Sequence, residues 1–187
     1  MQQSDVIIVG GGIIGLATAY QLIKRFPEKQ VTVLEKESSV GVHQSGRNSG
    51  VLHSGIYYKP GSLKARNCRD GKVAMEAFCQ QHGVDYEVCG KVIVAAEKWE
   101  LPILQGILQR GRQNGVRSTI IDADRLAELE PHAAGIQAIH VPEAGICDFP
   151  AVCRKLAEIL QSRQGQLVTG ATVRSIQVRS RRGRSRT

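Results

Sequence analysis

Near the N-terminus a short β-branched run meets three consecutive glycines, and no other junction in the chain constrains its folding as tightly. Asp5-Val6-Ile7-Ile8-Val9 is nearly all apolar, the pattern of a parallel strand buried on both faces. It passes directly into Gly10-Gly11-Gly12-Ile13-Ile14-Gly15, which places G-x-G-x-x-G at Gly10, Gly12 and Gly15. At such a junction the first glycine permits a tight turn, the second lets backbone approach a pyrophosphate, and the third lets a helix pack close to the strand. Ile13, Leu16, Ala17, Tyr20 and Ile23 then recur at helical spacing up to Phe26-Pro27, where proline forbids continuation. A second strand, Val31-Thr32-Val33-Leu34, leads to Glu35, twenty residues past Gly15. A carboxylate there accepts hydrogen bonds from ribose hydroxyls and repels a 2′-phosphate. With all these parts in register, the segment predicts a dinucleotide-binding βαβ unit rather than a plain crossover.

With 187 residues, 42% of them hydrophobic, the chain has material for one sizeable core, or one domain and part of another. The apolar stretch over residues 6–20 is too short and glycine-rich to cross a bilayer, and no positive charge precedes it as in an export signal. Cys68, Cys79, Cys89, Cys147 and Cys153 are odd in number and form no C-x-x-C pair, which suits thiols kept reduced in a cytoplasm and argues against a metal site. The formal charge of +8 is concentrated at one end. Six arginines and no acid lie in residues 174–187, so the rest of the chain carries only +2 and no specific nucleic-acid partner is expected. Residues 179–187 have no apolar anchor and are predicted to be a disordered, arginine-rich tail. Two readings of that tail stand: weak, sequence-independent contact with polyanions, or an abnormal end left by truncation or a change of reading frame.

After Glu35 the chain becomes polar and rich in small residues. Residues 38–55 hold five serines and four glycines, interspersed with His43, Gln44, Arg47, Asn48 and His53. Such a composition lets backbone and hydroxyls approach a flat ligand while amides and imidazoles bond its edge, so a site-lining loop is expected over a flexible linker. Lys59-Pro60-Gly61 is a turn, and Ser62 caps a helix running to Gly83, with Met75, Phe78 and Cys79 as core. Residues 84–88 and 91–96 alternate as short strands around Gly90, an antiparallel excursion. Helices are predicted from Leu101 to Asn114, from a cap at Asp122 to Glu130-Pro131, and from Asp148 through Leu160. Residues 136–141 and 146–147 read as a hairpin around Pro142-Glu143-Ala144-Gly145. Residues 166–169 should return as a parallel strand, followed by a last strand over residues 173–178. His82, His132 and His140 are read as surface or structural residues.

The run His43-Gln44-Ser45-Gly46-Arg47-Asn48-Ser49-Gly50-Val51-Leu52-His53-Ser54-Gly55-Ile56-Tyr57-Tyr58-Lys59-Pro60-Gly61-Ser62-Leu63-Lys64-Ala65 closely resembles the L-2-hydroxyglutarate oxidase/dehydrogenase family, within the D-amino-acid-oxidase-like FAD oxidoreductases. The resemblance runs over residues 4–178 and is most specific over residues 48–64. It implies an α/β fold: a Rossmann-like FAD-binding domain interrupted by an antiparallel α+β substrate-domain excursion, incomplete here because family members are much longer. The implied domains are residues 1–83 and 148–178 for FAD, residues 84–147 for part of the substrate domain, and the tail beyond. By the same resemblance Gly10, Gly12 and Gly15 hold the FAD pyrophosphate, and Glu35 with Lys36 sit at the adenosine ribose. Gln44, Ser45, Asn48, Ser49 and Gly50 would lie against the isoalloxazine, with Val51 and Leu52 packing nearby.

The implied reaction is oxidation of L-2-hydroxyglutarate to 2-oxoglutarate, hydride leaving the α-carbon for flavin N5 while a base takes the hydroxyl proton. His53 is the candidate base because imidazole titrates near neutral pH and directly follows the flavin-facing loop; the alternative is that it only hydrogen-bonds flavin or backbone. Arg47, Tyr57, Tyr58 and Lys59 are candidates for attracting carboxylates, or are solvated surface. The expected partners are a small 2-hydroxy acid and an electron acceptor, oxygen or quinone, the latter leaving room for peripheral membrane contact. Two other functions remain open: a glycerol-3-phosphate or glycine/sarcosine-type oxidase of the same superfamily, and a truncated FAD-binding remnant without catalysis.

Overall fold

In a computed structural model of the protein, residues 3–178 are described; the arginine-rich tail predicted over residues 179–187 lies outside them. In chain order the elements are β1 (Val6–Val9), α1 (Ile13–Arg25), β2 (Val31–Leu34), β3 (Val51–Leu52), α2 (Leu63–His82), β4 (Tyr86–Glu87), β5 (Lys91–Ala95), α3 (Leu101–Gln113), β6 (Thr119–Asp122), α4 (Ala123–Leu129), β7 (Gln137–Val141), β8 (Gly145–Cys147), α5 (Phe149–Ser162) and β9 (Gln166–Val168). They form two compact units, one built from the chain up to Arg47 and from Cys153 onward, the other from Asn48–Val152. By compactness α2 belongs to the second unit.

The first unit contains the βαβ unit the sequence predicts. β1 and β2 pair in parallel, Val6 opposite Val31 and Val9 opposite Leu34. β9 returns to pair in parallel with β2, Leu167 opposite Val33, so β2 is central. Its Val31, Thr32 and Val33 are all buried, as a central parallel strand requires. β1 differs from expectation. It is an edge strand whose side chains alternate, with Ile7 and Val9 57% and 58% exposed beside residues 172–176. α1 buries Leu16, Ala19 and Ile23, one helical face, and ends at Phe26 before Pro27. On α5, Cys153, Leu156, Ala157 and Leu160 repeat the same spacing and are buried. The strand predicted over residues 173–178 does not form: no ladder partner meets this stretch, and five of its six residues are exposed.

The second unit holds two three-stranded antiparallel sheets, ordered β3-β8-β4 and β5-β7-β6. Here the predicted hairpin over residues 136–147 is overturned. β4 and β5, adjacent in sequence, lie in different sheets, as do β7 and β8. Gly90 and the 142–144 turn switch the chain between sheets, Gly90 at φ 79° and its N–H donating to Ala144 O at 2.8 Å. Strand edges are satisfied by whichever partner buries more apolar surface, and β5 finds that partner in β7, five residue pairs deep. β3 and β6 are strands that local pattern did not disclose. The unit's core gathers Ile56, Ala95, Leu104, Leu108, Val116, Ile139, Val141 and Ala144.

Helix ends in this unit follow the sequence closely. Ser62 Oγ accepts from Ala65 N–H at the start of α2, and Gly83 closes it at φ 64°. Asp122 Oδ1 accepts from Arg125 N–H at the start of α4. α2 is less buried than predicted: Cys79 is fully covered, while Met75 and Phe78 are only partly so and Val73 is exposed. Among the described residues no helix is long and apolar enough to cross a membrane.

Candidate functional site

In the first unit the glycine turn has the properties its spacing predicts. Gly10 sits at φ 108°, a conformation that a side chain strains, and the space a Cβ would take is open. A Cβ on Gly15 would lie 2.0 Å from Gly10 O, so only glycine lets the first turn of α1 close on the strand exit. At Gly12 a Cβ would meet only Ser45 Oγ, at 3.2 Å. The α1 N-terminus carries no acidic residue and no side-chain bond from its N-cap, Gly12. Backbone N–H groups and helix dipole there favour an anion.

Glu35 is 7% exposed at the end of β2. Its Oε2 accepts from Gly11 N–H at 2.5 Å and its Oε1 from Glu37 N–H at 2.9 Å. A Cβ on Gly11 would press on Glu35 at 3.0 Å. The middle glycine of the triplet, outside the G-x-G-x-x-G positions, is thus what lets the carboxylate reach the turn; only the excess of glycine over the motif hinted at it. Lys36 lies at the surface, 3.4 Å from a Glu37 oxygen. His43 Nε2 is 2.8 Å from the same oxygen, and this contact, followed by Lys36, holds the Glu37 carboxyl below the usual carboxylate range.

The loop after Glu35 folds back on the glycine turn. Gly41, at φ 71°, donates its N–H to Gly11 O at 3.0 Å and lies against Cys153. Ser45 is brought to the start of α1, where its Oγ accepts from Ile13 N–H at 2.9 Å. Ser45 therefore neighbours Gly12 directly, and Gln44 shares its turn.

In the second unit Asn48 Oδ1 accepts from Gly50 N–H at 2.8 Å, a side-chain turn that sets Gly50 at φ 70°. Gly50 O accepts from Cys147 N–H at 2.8 Å, and Val51 pairs with Ile146 across β3 and β8. Ser49 and Gly50 line a cleft of about 460 Å³ with Asp85, Glu87, Cys147 and Asp148. Cys79 and Cys147 place their sulfurs 3.5 Å apart as free thiols, and burial first, then the neighbouring thiol, pushes Cys147 up to about 12.

His53 follows β3. More than a third of its surface is exposed, yet partial desolvation, and then the charge of Lys91, hold its imidazole below its ordinary value. The ring is thus neutral at pH 7, the form that accepts a proton. Cys68 donates from Sγ to His53 O at 3.1 Å, and the next residue, Ser54, is buried with no partner for its hydroxyl among the described residues. Lys91 is a residue the sequence reading missed. It lies far along the chain on β5, with its ammonium 4.5 Å from the centroid of the Tyr57 ring.

The chain belongs to the family described as FAD dependent oxidoreductase, which matches residues 5–187. Among individual proteins it is 47% identical over 177 residues to the L-2-hydroxyglutarate dehydrogenase of Indibacter alkaliphilus, covering 94% of this chain and 44% of that protein. It is 46% identical to the mitochondrial L-2-hydroxyglutarate dehydrogenase of Homo sapiens, covering 93% of this chain and 38% of that one. The chain thus spans about two fifths of the length of these curated relatives. Its fold matches the dithionite-reduced L-alpha-glycerophosphate oxidase of Mycoplasma pneumoniae with FAD bound, at TM-score 0.82 and 29% identity, over 91% of this chain and 45% of that one. Glycine oxidase from Bacillus cereus matches at TM-score 0.80 and 26% identity, over 95% and 49%.

Proposed function

We propose that the protein to which this chain belongs binds FAD and oxidises L-2-hydroxyglutarate to 2-oxoglutarate. The observation that carries the reading is 47% identity over 94% of the chain to an L-2-hydroxyglutarate dehydrogenase. The residues present suit FAD: an open glycine turn at the N-terminus of α1, and a buried carboxylate held at its edge. Gly10, Gly12 and Gly15 would admit the pyrophosphate, and Glu35 with Lys36 would meet the adenosine ribose. Gln44, Ser45, Asn48, Ser49, Gly50 and Val51 would serve the isoalloxazine end. In this reading residues 1–83 and 148–178 serve FAD, and residues 84–147 contribute to the substrate domain.

When bound, FAD supplies the acceptor for the hydride that leaves the α-carbon. His53 takes the hydroxyl proton at an imidazole nitrogen, so the alcohol becomes a carbonyl as the C–H bond breaks. Its neutrality at pH 7 suits that task. Oxygen or a quinone would be the final electron acceptor. A cytoplasmic setting is part of the proposal, supported by five free thiols.

A second reading takes glycerol 3-phosphate as the substrate, supported by 29% identity to an L-alpha-glycerophosphate oxidase over 91% of this chain. Rapid mixing of the FAD-loaded protein with each compound decides between them: bleaching of the flavin by L-2-hydroxyglutarate and not by glycerol 3-phosphate or glycine is expected. Bleaching by glycerol 3-phosphate alone would replace the first reading with the second.

A further inference from the structure

Residues 53–58 are pinned at several points. Ile56 is 1% exposed within the second unit's core, and a Cβ on Gly111 of α3 would come within 2.7 Å of its Cγ1. Asn114 donates from Nδ2 to Gly55 O at 3.2 Å and to Tyr58 O at 2.9 Å. Cys68 holds His53 O from the other end. Tyr57, between these anchors, is fixed with its ring over the Lys91 ammonium.

Lys91 occupies the first position of β5, opposite Val141, and is partly buried. None of the carboxylates among the described residues pairs with it. An aromatic face stabilises a cation but accepts none of its N–H bonds, so the three donors of the Lys91 ammonium are left for another acceptor. Partly desolvated cations are ordinarily matched by an anion. The titratable groups facing this point are His53, Cys68 and Tyr57, and the Lys91 charge is felt at the first two.

We propose that Lys91, held by the Tyr57 ring, is a specificity residue that binds a carboxylate of the hydroxy-acid substrate and so presents its hydroxyl to His53. The inference rests on the function proposed above. Every 2-hydroxy acid carries a carboxylate on the carbon that bears the hydroxyl, so a cation near the base orients both groups at once. Bound carboxylate also neutralises the field that depresses His53, and the imidazole becomes a stronger base when substrate is in place. Glycerol 3-phosphate presents its anion farther from the reacting carbon than a 2-hydroxy acid does, which ties Lys91 to substrates that carry a carboxylate on the reacting carbon.

The test uses the FAD-loaded protein with Lys91→Met and Lys91→Arg. Loss of a charge-assisted bond should raise KM for L-2-hydroxyglutarate by about 10- to 100-fold with kcat changed far less, and the arginine variant should recover most of it. The acid limb of kcat/KM should move to higher pH in Lys91→Met, because the charge that depresses His53 is gone. Calorimetric binding of 2-oxoglutarate, which needs no turnover, should weaken by a similar factor. Unchanged 2-oxoglutarate affinity in Lys91→Met would overturn the inference, whatever the pH limb does, and leave the proposed function standing. Bleaching by glycerol 3-phosphate alone, with Lys91→Met still weakening that anion, would remove the proposed substrate but keep Lys91 as an anion site. Failure of wild-type protein to bind any of these anions would remove both.

Discussion

In the glycine turn of residues 10–15, the atoms that shape the geometry come from nearby in the chain: Gly10 O against Gly15, and Glu35 against Gly11. In residues 53–58 they come from Cys68, Gly111, Asn114 and Lys91, out to the far side of a helix and two strands. The first region is a supersecondary unit whose geometry is nearly written in residue order. The second becomes a place for chemistry only after distant elements converge. Phosphate recognition needs backbone N–H groups and room, which a turn supplies locally. Positioning a base and a counter-charge needs side chains fixed by packing.

Breaking the second region should cost most in rate. His53→Ala in the FAD-loaded protein should slow flavin reduction by about 10²–10⁴ while FAD stays bound, the usual scale of general base catalysis. Stopped-flow bleaching by L-2-hydroxyglutarate measures it, and an unchanged rate removes His53 as the base. His43→Ala, whose ring meets Glu37 at the surface, should slow the reaction less.

Breaking the first region should show in stability and cofactor retention. Gly15→Ala places a Cβ 2.0 Å from the Gly10 carbonyl oxygen, a backbone atom that cannot turn aside. About 1–3 kcal/mol or more should be lost, visible as a lower denaturation midpoint. The Cβ of Gly12→Val meets only the Ser45 hydroxyl, so the fold should survive while FAD is lost from the purified protein. A yellow, stoichiometric Gly12→Val variant would refute the assigned role.

A finer contrast comes from pH. His53 is depressed by desolvation and by Lys91, so it stays neutral to lower pH than a free imidazole. The acid limb of kcat/KM should therefore fall below the ordinary histidine value of about 6.5. A limb at or above that value would detach the base from His53. The smallest effect is expected at the start of α4: Asp122→Ala removes the acceptor for Arg125 N–H and should cost about 0.5–2 kcal/mol with no change in flavin reduction.

Legibility in the sequence followed the range of the determining contacts. β1, α1 and β2 follow from apolar periodicity and Pro27, and α2 and α4 from Ser62, Gly83 and Asp122, because caps and stops act within a turn or two. The expected hairpin at residues 136–147 failed because neighbours in sequence were assumed to pair, and the short strands on either side of Gly90 part in the same way. β4 and β8 share one sheet and β5 and β7 another, a choice made by apolar burial across the unit. Exposure of Ile7 and Val9 was equally hidden, since an apolar strand reads alike at an edge or a centre.

The sequence by itself determined the glycine turn, its helix, the acid at the end of the second strand and, through residues 48–64, the family resemblance. Each rests on φ freedom, hydrogen bonds or spacing within a short stretch of chain. Only the tertiary structure decided that Ser45 reaches the start of α1, and that Lys91 stands beside Tyr57 with its charge felt at His53. Those placements depend on loop closure and core packing, whose energies sum over many residues and leave no mark on the one they position.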